Sequence, residues 1–143
     1  MGWLRLMSKI NSFSKLSSAR KGLFIKSLII ITFIRISLSL FSFSRVKKFS
    51  KNISRPNSNH KDNVTIEDIV WSVNMASIYV PRATCLTRAI TGQILLYRHN
   101  YPSKLKIGVI KEEEFEAHAW LEIDDKIVLG ESEKEYVQIL ESE

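Results

Sequence analysis

Two residues of this sequence, Cys85 and His118, have the chemistry of a thiol nucleophile and its base. Cys85 is the single cysteine and opens a stretch with apolar residues at helical spacing. His118 lies on a segment of alternating residue types, which is typical of a β-strand. A helix start and a nearby imidazolium both favour thiolate over thiol, and the imidazole can return a proton to a leaving group. The pair is therefore a candidate centre for nucleophilic catalysis.

A third candidate, Glu131, follows from the predicted strand register. Asp124-Asp125 predicts a two-residue hairpin turn after the strand that carries His118. Counting back from this turn places Glu131 opposite His118, where cross-strand Cβ atoms are about 5 Å apart. A change of one residue in the loop would break this match. With that register, a carboxylate would stand beside the imidazole and orient it.

Each candidate also has an ordinary structural interpretation. A single buried cysteine usually acts as a small hydrophobic residue of a core. His118 could be a structural strand residue, and Glu131 a solvated charge at a strand end. The combination of a cysteine at a helix start, a histidine on a strand and a carboxylate across the hairpin favours a cysteine hydrolase or acyl-transfer enzyme.

The elements around these residues predict an α+β fold. Thr65 and Asp68 have the spacing of a near capping box, which predicts a helix that ends at Pro81. A second helix is predicted over 85–98, followed by strands over 105–110, 115–123 and 126–129. Two helices followed by an antiparallel meander are an α+β arrangement.

The charge of the chain changes sign near residue 60. Residues 1–60 hold twelve Lys and Arg and no Asp or Glu, whereas residues 61–143 hold nine Lys and Arg and all fifteen acids. This predicts a basic, apolar, helical region over 1–60, with a polar linker at 50–64, and a catalytic domain over 61–143. On this interpretation, deletion of 1–48 should leave the catalytic residues in place.

The apolar stretch 28–43 has three interpretations. A membrane-spanning helix is disfavoured, because Lys26 and Arg35 leave only eight uncharged residues between them. The basic flanks would suit a helix on an anionic surface, so a peripheral membrane contact through residues 20–51 stays open. We favour the third interpretation, a core helix with a solvated basic edge.

Composition excludes or disfavours several other classes. A single cysteine excludes an internal disulfide framework and a multi-cysteine zinc site, and we predict no metal or cofactor. It fits a reducing compartment, so we expect a cytoplasmic protein, with membrane association left open. Nucleic-acid binding is disfavoured, because the basic region lacks aromatic interleaving and a recognition-helix motif. No secretory cleavage site follows the apolar run.

Four motifs stand out in the second half of the chain: Cys85-Leu86-Thr87-Arg88-Ala89, Ile94-Leu95-Leu96, Ile107-Gly108-Val109 and Ala117-His118-Ala119-Trp120-Leu121-Glu122. Through these motifs, about residues 66–140 resemble the leader peptidases of lasso-peptide biosynthesis, which are transglutaminase-like cysteine proteases. This resemblance implies a transglutaminase-like, papain-like core with Cys85 as nucleophile and His118 as base. Gly130 stands near the position where that family has its third residue, an acid, and Glu131 is its neighbour.

The same resemblance implies a function and partners. The chain would be a cysteine endopeptidase that removes the leader from a ribosomally made precursor peptide. Its partners would be that precursor, a separate leader-binding recognition protein and a lasso cyclase. The alternatives are a catalytically inactive binding or scaffold protein on the same fold, and an acyl transferase that uses an amine in place of water.

Overall fold

A computed structural model describes residues 18–53, 64–111, 115–130 and 137–142. These ranges form four helices: α1 Ser18–Leu40, α2 Phe43–Ile53, α3 Ile66–Tyr79 and α4 Cys85–Arg98. They also form four strands: β1 Lys104–Lys111, β2 Phe115–Ile123, β3 Lys126–Leu129 and β4 Val137–Ser142. The strands make one antiparallel sheet in the order β3-β2-β1-β4. The predicted α+β class is confirmed.

Side-chain caps explain where α3 and α4 begin. Thr65 Oγ1 accepts from the backbone N–H of Asp68 at 3.2 Å, and the Asp68 carboxylate accepts from the N–H of Thr65 at 3.3 Å. This is the predicted capping box. Thr84 caps α4 in the same way, since its Oγ1 accepts from the N–H of Thr87 at 3.2 Å. The cap makes Cys85 the first residue of α4.

The predicted hairpin between β2 and β3 is present. Asp124 and Asp125 have φ angles of 51° and 62°, which give the type I′ turn that suits a two-residue hairpin loop. The register then shifts by one residue: Glu122 pairs with Ile127, but Leu121 pairs with Leu129. This β-bulge changes which residues stand opposite the first half of β2.

β4 was not predicted from the sequence, and the sheet is therefore not the simple meander that was expected. β4 pairs antiparallel with β1, on the side of β1 away from β2. The segment is short and alternates poorly, with Ile139 next to Leu140. Its pairing with a strand far away in the sequence depends on tertiary packing, which the local residue pattern does not predict.

The N-terminal helices share one core with the half of the chain that carries Cys85 and His118. Leu23 and Ile34 of α1 and Val46 of α2 belong to the same buried cluster as Ile90 of α4 and Leu121 of β2. This shared core argues against the expectation that deletion of residues 1–48 leaves the catalytic residues in place, because the deletion would expose the cluster. The interpretation of the apolar stretch as a core helix is confirmed for the inner side of α1.

Polar contacts also join α1 to α3. Ser27 Oγ donates to Ser72 Oγ at 2.9 Å in the buried interface. Arg20 forms an ion pair with Asp68 at 2.9 Å and stacks over the Trp71 ring at 5.3 Å. Burial would raise the pKa of Asp68, but hydrogen bonds from Thr65 and from the Arg20 guanidinium outweigh it and hold that pKa below its usual range.

α2 is anchored to α4 at two points, and the predicted linker therefore begins too early. α2 extends to Ile53, whose carbonyl accepts from Arg98 Nε at 2.9 Å, whereas residues 54–63 lie outside the described ranges. Six residues earlier, buried Lys47 donates from Nζ to Oε1 of buried Gln93. Burial, helped by the nearby charge of Lys51, lowers the pKa of Lys47 to about 8.

The buried ammonium of Lys47 gives a first testable prediction. Between about pH 8 and 10.5, the folded state loses this proton while the unfolded chain still binds it. The free energy of unfolding should therefore rise with pH across this window more steeply in the wild type than in Lys47→Met. Chemical denaturation at several pH values measures the difference. Lys48→Met, at the exposed neighbouring position, is the control and should follow the wild type. Parallel curves for all three proteins would contradict the prediction.

Gly92 allows α4 to lie close to the sheet. A Cβ at this position would stand 2.7 Å from Leu129 Cδ2 and 2.9 Å from Leu121 Cδ1. Both distances are shorter than ordinary van der Waals contact, so a side chain here would require the buried Leu129 and Leu121 side chains to shift. The contact places Gly92 of α4 beside Leu121 of β2.

Candidate active site

Cys85 lies at the N-terminus of α4, half-buried against the main core. The N–H groups of the first three residues of a helix have no i−4 carbonyl acceptor within the helix. At this terminus, the N–H of Thr87 bonds to Thr84 Oγ1 and that of Arg88 bonds to the Thr84 carbonyl. The N–H groups of Cys85 and Leu86 therefore point outward from the N-terminal end of α4, on the side of the chain that carries the thiol.

α4 and β2 run in the same direction, so we expect Cys85 and His118 to lie near the same level along the sheet. In the second half of α4, Gln93 Nε2 donates to the Ser103 carbonyl at 3.4 Å. Lys104, which follows Ser103 and begins β1, pairs with Glu122 near the end of β2. The seven-residue step along α4 from Gly92 back to Cys85 spans about 10.5 Å. The three-residue step along β2 from Leu121 back to His118 spans about 10 Å. These steps lead from the Gly92–Leu121 contact to Cys85 and His118.

His118 is half-buried and held by a backbone carbonyl. Its Nε2 lies 2.5 Å from the carbonyl oxygen of Gly130. Because a carbonyl oxygen only accepts, Nε2 is the nitrogen that carries the proton, and Nδ1 of the neutral ring carries the lone pair. The structure thus selects one tautomer of His118, with Nδ1 as the basic nitrogen.

A chain of polar contacts fixes the ring that stacks on His118. The rings of Trp120 and His118 are stacked, with centroids 6.1 Å apart and an angle of 18° between planes. Trp120 Nε1 donates to Glu122 Oε1 at 2.9 Å, and Lys106 Nζ lies 2.8 Å from Glu122 Oε2. The Lys106 hydrogen bond lowers the pKa of Glu122, which stays a carboxylate at neutral pH.

Two members of this set of polar contacts, Trp120 and Glu122, could be grouped with His118 from the sequence, whereas Lys106 could not. The alternation of β2 already placed Trp120 and Glu122 on the face of His118. Lys106 comes from β1, where it pairs with Trp120, and only the register of the two strands brings it to Glu122. A basic residue on one strand and an acidic residue on the next can indicate a cross-strand ion pair, but this combination is too common to identify a particular pair.

The two candidate residues approach the sheet from different sides. Ala119 and Leu121 are buried on the face that packs against α4, so alternation places the His118 ring on the other face, with Trp120. β3 pairs with β2 only from Leu121 to Ile123, so His118 lies where β3 ends at Gly130. α4 and the His118 ring thus lie on opposite faces of the sheet.

Glu131 lies outside the described residues, but the register that selected it is now known. The count that placed it opposite His118 assumed an unbroken ladder, and the bulge shifts that ladder by one residue. A Cβ on Gly130 would lie 2.8 Å from the Ala119 carbonyl and 3.1 Å from Trp120 Cα, so Gly130 stands beside Trp120. The register argument for Glu131 is therefore wrong, and its role stays a prediction.

A family model described as transglutaminase-like superfamily matches residues 29–142. The chain belongs to the transglutaminase-like superfamily. That superfamily includes cysteine proteases and acyltransferases. No curated protein and no solved structure matches the chain. The family match begins within α1 and so crosses the charge step near residue 60.

The described residues contain no group of three or more His, Cys, Asp and Glu side chains that could hold a metal ion. They do contain a cleft of about 330 Å³ at the C-terminal end of β2, lined in part by Tyr97, Lys104 and Asp125. Since Cys85 lies at the opposite end of α4 from Tyr97, this cleft is not next to the thiol.

The contact between Gly130 and His118 gives a second prediction. In this transglutaminase-like chain, the backbone carbonyl of Gly130, and not a side chain, holds the His118 ring. Gly130 has a φ of 84°, and an added Cβ would meet backbone atoms that cannot move aside. Gly130→Ala should therefore shift the carbonyl and lower the turnover number of any reaction that uses His118 as its base by roughly ten- to a thousand-fold. Nitrogen chemical shifts of His118 should show loss of the Nε2–H tautomer.

Glu131→Gln is the matched comparison. If the carbonyl alone orients His118, this variant should keep the tautomer and most of the rate. If Glu131→Gln is crippled and Gly130→Ala is nearly normal, the orienting group is the carboxylate and not the carbonyl.

Proposed function

We propose that this chain is a cysteine endopeptidase that removes the leader from a ribosomally made lasso-peptide precursor. Two observations support the proposal: Cys85 is the first residue of α4, and His118 is a histidine whose Nε2–H is held by a carbonyl. Membership of the transglutaminase-like superfamily supports thiol chemistry at such a helix start. The motifs around Cys85 and His118 support the finer assignment to leader removal.

The proposed reaction uses the tautomer that the structure selects. Nδ1 of His118 takes the proton of Cys85, and the thiolate attacks the scissile carbonyl. The N–H groups at the start of α4 stabilise the oxyanion. His118 returns the proton to the leaving amine, and water then hydrolyses the thioester. The Gly130 carbonyl orients the ring, and Glu131 is the proposed carboxylate that stabilises the imidazolium.

This reaction requires the His118 ring and the thiol to meet at the end of β3. Catalytic hydrogen bonds are often long before substrate binds and tighten in the complex. Binding of the leader against the border of the sheet next to Gly130 would supply the free energy for this step. The partners in this proposal are the precursor peptide, a leader-binding recognition protein and a lasso cyclase, in the cytoplasm.

One observation favours a second candidate, a catalytically inactive binding protein of the same fold. The His118 ring stacks on Trp120, on the face of the sheet away from α4. If this position is permanent, Cys85 has no base. A third candidate, an acyl transferase, would share the thioester and differ only in whether water or an amine attacks it.

The test is cleavage of a lasso precursor by the purified chain together with the leader-binding protein. Mass spectrometry in water labelled with heavy oxygen should show one labelled oxygen in the new carboxylate of the leader. A leader joined to an added amine would show acyl transfer instead. Tight binding of precursor without any cleavage, in the presence of both partner proteins, would favour the inactive binding protein.

A further inference from the structure

α1 carries a continuous apolar surface that the fold leaves open to solvent. Five residues on one side of the helix are between 45% and 71% exposed: Ile25, Ile29, Phe33, Ile36 and Leu40. Their spacing of three or four residues places them in one row of about 22 Å along the helix. We call this row the outer apolar face.

Two phenylalanines extend the outer apolar face toward α2. Phe41 and Phe49 are 52% and 44% exposed. The Phe49 ring lies against Phe33, with centroids 5.5 Å apart. The extended patch is therefore continuous across two helices, whereas isolated exposed apolar residues are ordinary on a protein surface.

The outer apolar face does not serve the core. Leu23, Ile31 and Ile34 lie on the opposite side of α1 and are 5% exposed or less. α1 is thus apolar on both sides, and only one side is covered within the described part of the chain. A helix that is apolar all round is normally buried on all sides or in contact with lipid.

The charges around this face select an anionic partner. Four exposed basic residues belong to α1 and α2: Lys26, Arg45, Lys48 and Lys51. Residues 1–60 contain no acid at all. Apolar side chains with a basic border are the pattern of helices that lie in a membrane interface.

We propose that the outer apolar face binds an anionic lipid surface, with α1 lying along that surface. By length and composition, Arg20–Leu40 is the one helix among the described residues that could cross a membrane. A crossing would require α1 to leave the domain. It would break the Ser27–Ser72 hydrogen bond and remove Ile31 and Ile34 from their buried contacts. Lying on the surface uses only the side that the fold leaves open.

Vesicle flotation of the full chain tests the proposal. The probes are vesicles of phosphatidylcholine alone, and of phosphatidylcholine with about one third phosphatidylserine. The chain should float with the anionic vesicles and much less with the neutral ones, and salt should weaken the binding. Lys48→Gln should weaken it about five-fold, the effect of one basic residue near such a surface. Lys126→Gln, in the β2–β3 hairpin, is the charge control and should bind as the wild type.

A double variant tests the apolar contribution. Ile29→Gln with Ile36→Gln should lower binding roughly a hundred-fold. Ile78→Gln, at a residue of α3 that is 54% exposed, is the matched control and should float normally. Circular dichroism verifies that the variants are folded. Precursor cleavage measured in solution, without vesicles, does not depend on whether the outer apolar face binds lipid, so the two proposals can fail separately.

Three results would overturn the lipid proposal. The first is that the chain floats with neither kind of vesicle. The second is equal flotation of the double variant and its control. The third is that sedimentation shows a dimer, or a complex with the leader-binding protein, that the double variant loses while flotation is unchanged. That result would assign the face to a protein.

Discussion

Replacement of Cys85 by alanine should abolish precursor cleavage. The side chain is the single thiol of the chain, so no other residue can form the thioester. Removing the nucleophile of a group that acts as a unit lowers the turnover number by roughly four to six orders of magnitude. Single-turnover cleavage, followed by mass spectrometry, measures the loss.

The variant should remain folded, because Cys85 is half-buried and alanine keeps the helix start. Thermal unfolding of Cys85→Ala beside the wild type verifies this. The wild type should take up one equivalent of a thiol alkylating reagent in step with its loss of activity. Cleavage by Cys85→Ala at the wild-type rate would end the cysteine peptidase proposal.

His118→Ala should have the second-largest effect, a loss of roughly three to six orders of magnitude in the turnover number. The imidazole is proposed to take and return the proton, and alanine leaves no group that can do so. Trp120→Phe is the matched control, since it keeps an aromatic ring beside His118 and loses only the indole N–H bond to Glu122. It should cost far less.

The rate of alkylation of Cys85 separates a catalytic histidine from a structural one. If the ring reaches the thiol at the end of β3, His118→Ala should slow alkylation at neutral pH, because the thiolate loses its imidazolium partner. If the ring remains on the Trp120 face, alkylation should be unchanged while the stability falls. That second outcome would support the inactive binding protein.

Local chemistry made several elements predictable from the sequence. The capping box of Thr65 and Asp68 and the start of α4 at Cys85 depend on residues within one turn of the helix end. The strand over 115–123 and its two-residue turn depend on alternation and on the tolerance of Asp for positive φ. All of these interactions join residues that are close in sequence.

Other features depended on residues that are far apart in sequence. The bulge after Leu121 breaks the count along β2 and β3, and a one-residue shift changes every later partner. The partner of His118 Nε2 is then a backbone carbonyl, which every residue has and no sequence pattern marks. Side-chain types therefore pointed to Glu131, whereas the backbone of Gly130 forms the described bond.

The place of the N-terminal region was also decided by tertiary structure. Its charge differs from that of the rest of the chain, which predicted a separable region. Net charge reports on solubility and partners, not on which apolar surfaces pack together. The sequence by itself determined a thiol at a helix start, a histidine on a strand and a basic, apolar N-terminus. Only tertiary packing decided that one side of α1 completes the core, because helix burial depends on which surfaces meet in the folded chain.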